Sequence, residues 1–332
     1  MSAIAVLGAG SWGTTLAQLL AAKGQTVRLW AFEHDVVDAV NRRHDNPLFL
    51  PGVPLCASLR AYADAGEAVR GASVVVSASP SHVVRAVVGG IAPSVAPDTL
   101  VVSATKGIET DTLALMSQVF AECVPQARFV ALSGPSFAIE VAQGQPTAVV
   151  AAAADQHAAL EVQQLFSTSA FRVYSGGDVV GVELAGALKN VIAVAAGILE
   201  GLGLGHNPRA ALITRGLAEI TRLGVAMGAA PHTFAGLAGM GDLVLTTTGS
   251  LSRNRQLGLA VARGESLEHH RTTHRSVAEG ANTSRAGVAL GRRYGVELPI
   301  IQKVSEVLFE GKPARDAVPE LMERELKAEQ WR

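Results

Sequence analysis

The sequence predicts an α/β protein in two parts, a doubly wound sheet over residues 1–180 and an all-helical domain over residues 181–332. Three observations carry that prediction. Apolar β-like runs alternate with helix-period segments as far as Tyr174, and strand–helix repetition of this kind builds a sheet covered by helices. Gly8, Gly10 and Gly13 stand in G-x-G-x-x-G spacing between the first apolar run and the first helical segment. Beyond Ser175–Asp178 no convincing strand follows, only long segments rich in Ala, Leu, Ile and Gly.

In chain order, strands are expected at Ala3–Leu7, Thr26–Trp30, Ser73–Ala78, Leu100–Ser103, Arg128–Leu132, Thr147–Ala151 and Phe171–Tyr174. These runs lack polar alternation, so both faces should be buried, as in a parallel sheet. Helices are expected between them at Ser11–Ala22, Glu33–Arg43, Ser81–Gly90, Asp111–Ala121 and Asp155–Ser167. The second half should hold helices at Val182–Glu200, Pro208–Met227, Arg253–Arg263, Glu279–Tyr294 and Pro299–Glu310. An active site then belongs in the cleft between the two parts.

Composition narrows the function. Of 332 residues, 48% are hydrophobic and 17% charged, enough for sizeable cores and too apolar for a disordered chain. A net charge of −1 carries no basic excess for nucleic acid. Cys56 and Cys123 are the only cysteines, form no C-x-x-C pair, and read as reduced thiols. The run Ala3–Leu7 has no basic segment before it and breaks into glycines, unlike a signal peptide. Leu184–Leu199 is interrupted by Lys189 and Asn190 and is shorter than the ~20 residues of a membrane span. The expectation is a cytoplasmic protein with no membrane insertion.

The glycine turn is the first candidate site. Gly8 permits a tight turn, Gly10 lets backbone approach a pyrophosphate, and Gly13 lets helix and strand pack closely. The helix start offers free N–H groups to the phosphates. Trp12 in the turn reads either as a lid on a dinucleotide or as ordinary packing. Glu33, about 20 residues further on, is placed to bind a ribose 2′-hydroxyl, or else simply starts the next helix. No arginine stands there for a 2′-phosphate; Arg28 lies within the strand and His34 is a partial substitute.

Two loops follow parallel strands at the edge where such sheets bind ligands. "SATKGIET" places Lys106 there, and "LSGPSFAIE" places Gly134 and Ser136, with Ser136 alternatively an N-cap for the short helix that follows. "VELAGALKNVIAVAAGILEGLG" is the most informative stretch. It is apolar all round, hence buried, and Lys189 is the only charge from Leu184 to Leu199. A buried lysine has a depressed pKa, which suits it to acid–base work, although a lysine can also snorkel to the surface. Asp242 in "GLAGMGDLVLT" is a carboxylate among apolar residues, able to pair with a lysine or to cap a helix. Ser252, Arg253 and Asn254 at a helix start suit a phosphate, or form an ordinary capped surface helix. His269, His270 and His274 lie in a polar stretch and read as solvated surface rather than a metal site.

Together these motifs resemble the bacterial-type NAD(P)-dependent glycerol-3-phosphate dehydrogenases. The resemblance spans nearly the whole chain, through "GAGSWGTTLA", "ATKGIE", "SGPSFA", "LKNVIA", "GDLVLT", "SRNR" and "VAEGANT" in order. The related 6-phosphogluconate and 3-hydroxyisobutyrate dehydrogenases share the architecture: a Rossmann-like sheet, then helices. The resemblance implies reversible reduction of dihydroxyacetone phosphate to sn-glycerol 3-phosphate with NAD or NADP and no metal, serving glycerophospholipid synthesis, usually in a homodimer. It implies that Ser11, Trp12, Phe32, Ala138, Val277 and Glu279 touch cofactor beside Gly8, Gly10 and Gly13. Lys106 and Arg253 would touch both cofactor and substrate. Gly134, Ser136, Asp242, Ser252 and Asn254 would hold substrate, and Lys189 would donate and accept the proton, oriented by Asn190 or Asp242. Phe32 departs from the arginine or histidine common at that position and argues against strong NADP selectivity. A cofactor-sensing module without chemistry, or a related 3-hydroxyacid dehydrogenase, is the alternative; Lys189 separates an enzyme from a sensor.

Overall fold

The computed structural model describes residues 3–273, 277–326, 328 and 329. Eight strands form one sheet: β1 (Ala3–Leu7), β2 (Val27–Trp30), β3 (Arg60–Tyr62), β4 (Ala72–Ser77), β5 (Leu100–Ser103), β6 (Arg128–Ser133), β7 (Thr147–Ala152) and β8 (Phe171–Gly176). Their spatial order is β3-β2-β1-β4-β5-β6-β7-β8. The chain runs outward from β1 through β2 and β3, then crosses back to place β4 on the other side of β1. That reversal opens a crevice at the carboxyl ends of β1 and β4, the usual ligand position in such sheets.

Among the described residues seven α-helices accompany the sheet: α1 (Ser11–Ala22), α2 (His34–Arg43), α3 (Ala65–Val69), α4 (Ser81–Ile91), α5 (Met116–Cys123), α6 (Ala138–Ala142) and α7 (Gln156–Phe166). Nine more α-helices follow among them: α8 (Val179–Gly201), α9 (His206–Ala226), α10 (Pro231–Phe234), α11 (Asp242–Thr248), α12 (Arg253–Ala262), α13 (Leu267–Thr273), α14 (Glu279–Tyr294), α15 (Pro299–Phe309) and α16 (Ala314–Met322). No strand follows β8 among the described residues.

Three expectations for the sheet half need correction. The sheet is not wholly parallel, since β7 runs antiparallel to β6. The link between them holds only the short α6, which stays beside the first turns of α1, where Thr15 donates to Ala138 O, so the chain re-enters the sheet from the edge it left. Nor is every strand buried on both faces: β2 alternates between buried and half-buried, and β8 alternates toward solvent at this end of the sheet. The helix expected over Asp111–Ala121 begins only at Met116. Before it, Leu113 has φ 64°, and Glu109 exchanges backbone hydrogen bonds with Leu113 and Ala114, closing a loop instead.

α8 organises the helical half. Every residue from Gly181 to Leu199 is buried. Gly197 and Gly258 let α8 and α12 touch backbone to backbone, for a Cβ on Gly258 would come within 2.0 Å of Val194 O. At 23 residues, α8 is long and apolar enough to cross a membrane by length and composition, contrary to the expectation from sequence, but it lies inside the fold. Val182 packs on Ala131 and Ala152 of the sheet, so the start of α8 joins the two parts.

Candidate active site

The first βα turn has the geometry its glycines require. Gly8 adopts φ +103°, and a Cβ on Gly13 would stand 1.9 Å from Gly8 O. A Cβ on Gly10 would meet nothing within 4 Å, so that backbone faces open space. No side chain caps the start of α1, which leaves its first N–H groups for an anion. Trp12 stacks at a tilt on Phe171, with ring centroids 6.4 Å apart, and its buried Nε1–H has no hydrogen-bond partner. A turn open at Gly10, an uncapped helix start and an unused indole donor fit a dinucleotide.

The surrounding residues divide unevenly. The Ser11 hydroxyl donates to Phe49 O at 2.6 Å, leaving its backbone rather than its side chain for a ligand. Phe32 is 80% exposed just past β2. Glu33 occupies the N-cap of α2 but makes no side-chain cap bond. Ala138 opens α6, and its carbonyl accepts from Thr15 of α1. Val277 is half-buried ahead of α14. The Glu279 carboxylate, on the first residue of α14, accepts from the backbone N–H and hydroxyl of Ser81, on the first residue of α4, at 2.9 and 2.6 Å.

A lysine–carboxylate–lysine bridge lies at the same edge of the sheet. Lys189 Nζ donates to Asp242 Oδ1 at 2.7 Å and to Thr246 Oγ1 at 2.5 Å. Lys106 Nζ donates to the other carboxylate oxygen, Oδ2, at 2.7 Å and to Gly134 O at 2.9 Å. Asp242 begins α11 after a single π-turn closed by Gly241 N–H donating to Gly236 O at 3.1 Å. Gly239 permits that turn, since a Cβ there would stand 2.1 Å from Phe234 O. Gly134, at φ +142°, has no room for a side chain against Val149.

Electrostatics follow from burial. Burial draws the Lys189 pKa down to about 8, Asp242 opposes that fall, and Lys106 and Arg253 add to it. Burial alone would raise the Asp242 pKa, but Lys106 and Lys189 outweigh it and hold the carboxyl below its ordinary range. Lys106 is less enclosed, with 18% of its side chain exposed. Lys189 has three N–H donors, and the two bonds above leave one for a ligand.

Asn190, next in sequence to Lys189, does not touch it through its side chain. Its amide donates to Lys106 O and Gly186 O and accepts from Asn254, whose own carbonyl accepts from Gly280 N–H. Ser252 is the N-cap of α12, accepting from Arg255 N–H at 3.2 Å. Ser136 is no N-cap: its hydroxyl donates to Gly134 O. Arg253 is exposed at the α12 start; burial of its inner part lowers its pKa and Glu279 opposes, and with solvent on the side chain the guanidinium stays charged.

Sequence reasoning missed Thr246, which lies four residues after Asp242 on α11 and so on its face. It also missed Ser81, whose signal was only its place at a helix start beyond a parallel strand. Of the histidines, His269 is exposed as expected, whereas His270 is buried against that expectation, because α13 turns it inward. His274 lies outside the described residues. Among the described residues no cluster of three or more His, Cys, Asp or Glu side chains could hold a metal ion.

Family models described as the N-terminus and C-terminus of NAD-dependent glycerol-3-phosphate dehydrogenase match residues 3–159 and 178–319. The chain is 58% identical over 331 residues to a glycerol-3-phosphate dehydrogenase [NAD(P)+] of Geobacter sulfurreducens, covering 99% of each. It is 55% identical to the protein of the same name from Geobacter sp. strain M21, covering 98% of each. The crystal structure of a glycerol-3-phosphate dehydrogenase from Coxiella burnetii superimposes with a TM-score of 0.94 at 40% identity, over 97% of this chain and 99% of that one.

Proposed function

Because the chain belongs to the NAD-dependent glycerol-3-phosphate dehydrogenase family, we propose that it reduces dihydroxyacetone phosphate reversibly to sn-glycerol 3-phosphate with Lys189 as the proton donor. It is an oxidoreductase that works with NAD or NADP. The observation that carries the role of Lys189 is the buried bridge in which Asp242 holds Lys189 and Lys106 at 2.7 Å each.

When bound, the nicotinamide supplies the hydride for the substrate carbonyl carbon. Negative charge then develops on the carbonyl oxygen, and an aimed N–H donor stabilises it and delivers the proton. Lys189 suits that role, because its pKa of about 8 keeps it mostly protonated at neutral pH yet able to give the proton up. Asp242 and Thr246 fix two of its protons and so aim the third. Lys106, held by Gly134 O and Asp242, presents a second positive charge to the substrate. Arg253, charged and exposed at the start of α12, anchors the phosphate, and that remote binding energy supports the chemical step. Gly8, Gly10, Gly13, Ser11 and Trp12 hold the cofactor, with Phe32, Ala138, Val277 and Glu279 along its length. Ser136, Ser252 and Asn254 complete the substrate side, Asn254 through its bonds to Asn190 and Gly280.

We divide the chain near residue 180 into a dinucleotide-binding sheet domain, which also lends Lys106, Gly134 and Ser136 to the substrate, and a helical substrate and catalytic domain, which also lends Val277 and Glu279 to the cofactor. We place the enzyme in the cytoplasm as a homodimer feeding glycerophospholipid synthesis. The test is to incubate the protein with NADH and dihydroxyacetone phosphate and follow reduced-nicotinamide absorbance. Substrate-dependent oxidation yielding sn-glycerol 3-phosphate is expected; binding of NADH with no oxidation would make the protein a sensor.

A further inference from the structure

The stretch carrying Lys106 has no helix or strand from Ala104 to Glu109, yet it holds an ammonium 2.7 Å from Asp242. α8 grips this segment at two places. Asn190 Nδ2 donates to Lys106 O at 3.3 Å. Two turns earlier, the buried carboxylate of Glu183 accepts from the backbone N–H of Ser117 at 2.8 Å and from its hydroxyl at 2.5 Å. Residues seven apart lie on one face of a helix. Gly186 lies on that face as well, and a Cβ there would come within 2.7 Å of Ser133 Oγ and 3.7 Å of Lys106 Cγ. Between the two grips, Ile108 and Leu115 enter the apolar core that Leu184 and Leu188 of α8 help to build. The segment is therefore laid along α8, pinned at both ends and packed in the middle.

Glu183 costs the fold something. A buried carboxylate is expensive, and burial pushes this one up to about 7, against the opposing bonds from Ser117. Ser117 is the second residue of α5, so the carboxylate also meets the positive end of that helix. Packing alone would be better served by a leucine.

We propose that Glu183 is a positioning residue for the reaction: by tying Ser117 to α8 it fixes residues 104–117 so that Lys106 and Lys189 meet on one carboxylate. The proposal rests on the reading of Lys106 as a substrate-binding group. Glu183 touches neither substrate nor cofactor and acts only through Lys106.

Glu183→Met keeps the length of the side chain and removes both acceptors. Its kcat/KM for dihydroxyacetone phosphate should fall about tenfold, on the scale of one unpaired buried donor. Glu183→Gln can accept from the Ser117 N–H and donate to the reoriented hydroxyl, and should recover to within about threefold of wild type. NADH affinity, read by fluorescence titration, should change far less than kcat/KM in both, because the glycine turn rather than Lys106 holds the pyrophosphate. The decisive arm is a double-mutant cycle with Lys106→Met, in which Glu183→Met should cost nothing further. An equal loss in that background would overturn the proposal, since Glu183 would then act on the fold at large. So would a Glu183→Met protein with wild-type kcat/KM, or a Gln variant no better than Met. If Lys106→Met alone leaves kcat/KM unchanged, the reading of Lys106 fails first, and the proposal with it. Should Glu183→Met not fold, Ser117→Ala takes its place in the same cycle, with a loss of about threefold for one hydroxyl.

Discussion

Asp242→Asn removes a negative charge from between two ammonium groups while changing little in shape. Burial lowers the Lys189 pKa to about 8 against the pull of Asp242, and Lys106 and Arg253, which lower it further, remain in the variant. An asparagine carbonyl can still accept the Lys189 N–H, but as a neutral partner. What the substitution removes is the adjacent opposite charge, which typically moves a pKa by about 1–3 units. The ammonium keeps a charge-assisted bond to the amide carbonyl, so the lower end of that range, about one pKa unit, is expected. The sign follows from the direction of reaction. Carbonyl reduction needs the ammonium, so its rate falls as pH rises through the Lys189 pKa; alcohol oxidation needs the free amine and rises over the same range. For wild type that break belongs near 8, and in Asp242→Asn about one unit lower. Measuring kcat/KM for dihydroxyacetone phosphate from about pH 6 to 9.5, with NADH saturating, reads the break of the enzyme before substrate binds. A break that stays in place, or moves upward, refutes the assignment of Lys189 and its coupling to Asp242.

Two further outcomes are expected. Arg253→Ala should lose about 1.5–3 kcal/mol in kcat/KM for dihydroxyacetone phosphate and far less for unphosphorylated dihydroxyacetone; equal losses would mean that Arg253 serves the fold or the cofactor instead. Phe32 carries no charge and is open to solvent, so NADH should bind at least as tightly as NADPH, and Phe32→Arg should move the preference toward NADPH. A wild-type preference for NADPH above about tenfold in a fluorescence titration would contradict this.

Much of the fold is legible in local pattern. The glycine turn and α1 fall where spacing puts them, because a strand–turn–helix unit is specified within about 20 residues. Lys189 stands out because a charge inside an all-apolar helix is costly and so rarely present without a function. What stays hidden depends on distant pairing. Asp242 lies 53 residues from Lys189 and 136 from Lys106, and no periodicity reports that they meet. Asn190 is a natural candidate for orienting Lys189, but being next in sequence on a helix turns the two side chains about 100° apart, so it faces Lys106 and Asn254 instead. The reversal of β7 goes with α6 docking on α1 through Thr15 and Ala138, 123 residues apart in sequence. Ser252 satisfies the capping reading, which a helix-start serine always permits.

The central claim is that Lys189 supplies the proton, and Lys189→Met tests it most directly. Methionine keeps much of the side-chain length and removes the titrating group, and loss of a buried charge is often tolerated by the fold. NADH affinity should change little, because the glycine turn at Gly8–Gly13 lies on the sheet rather than on α8. Turnover of dihydroxyacetone phosphate, measured on protein shown to be folded and to bind NADH, should fall by about 10²–10⁴-fold. A Lys189→Met protein that meets both conditions and keeps more than about a tenth of wild-type turnover contradicts the account.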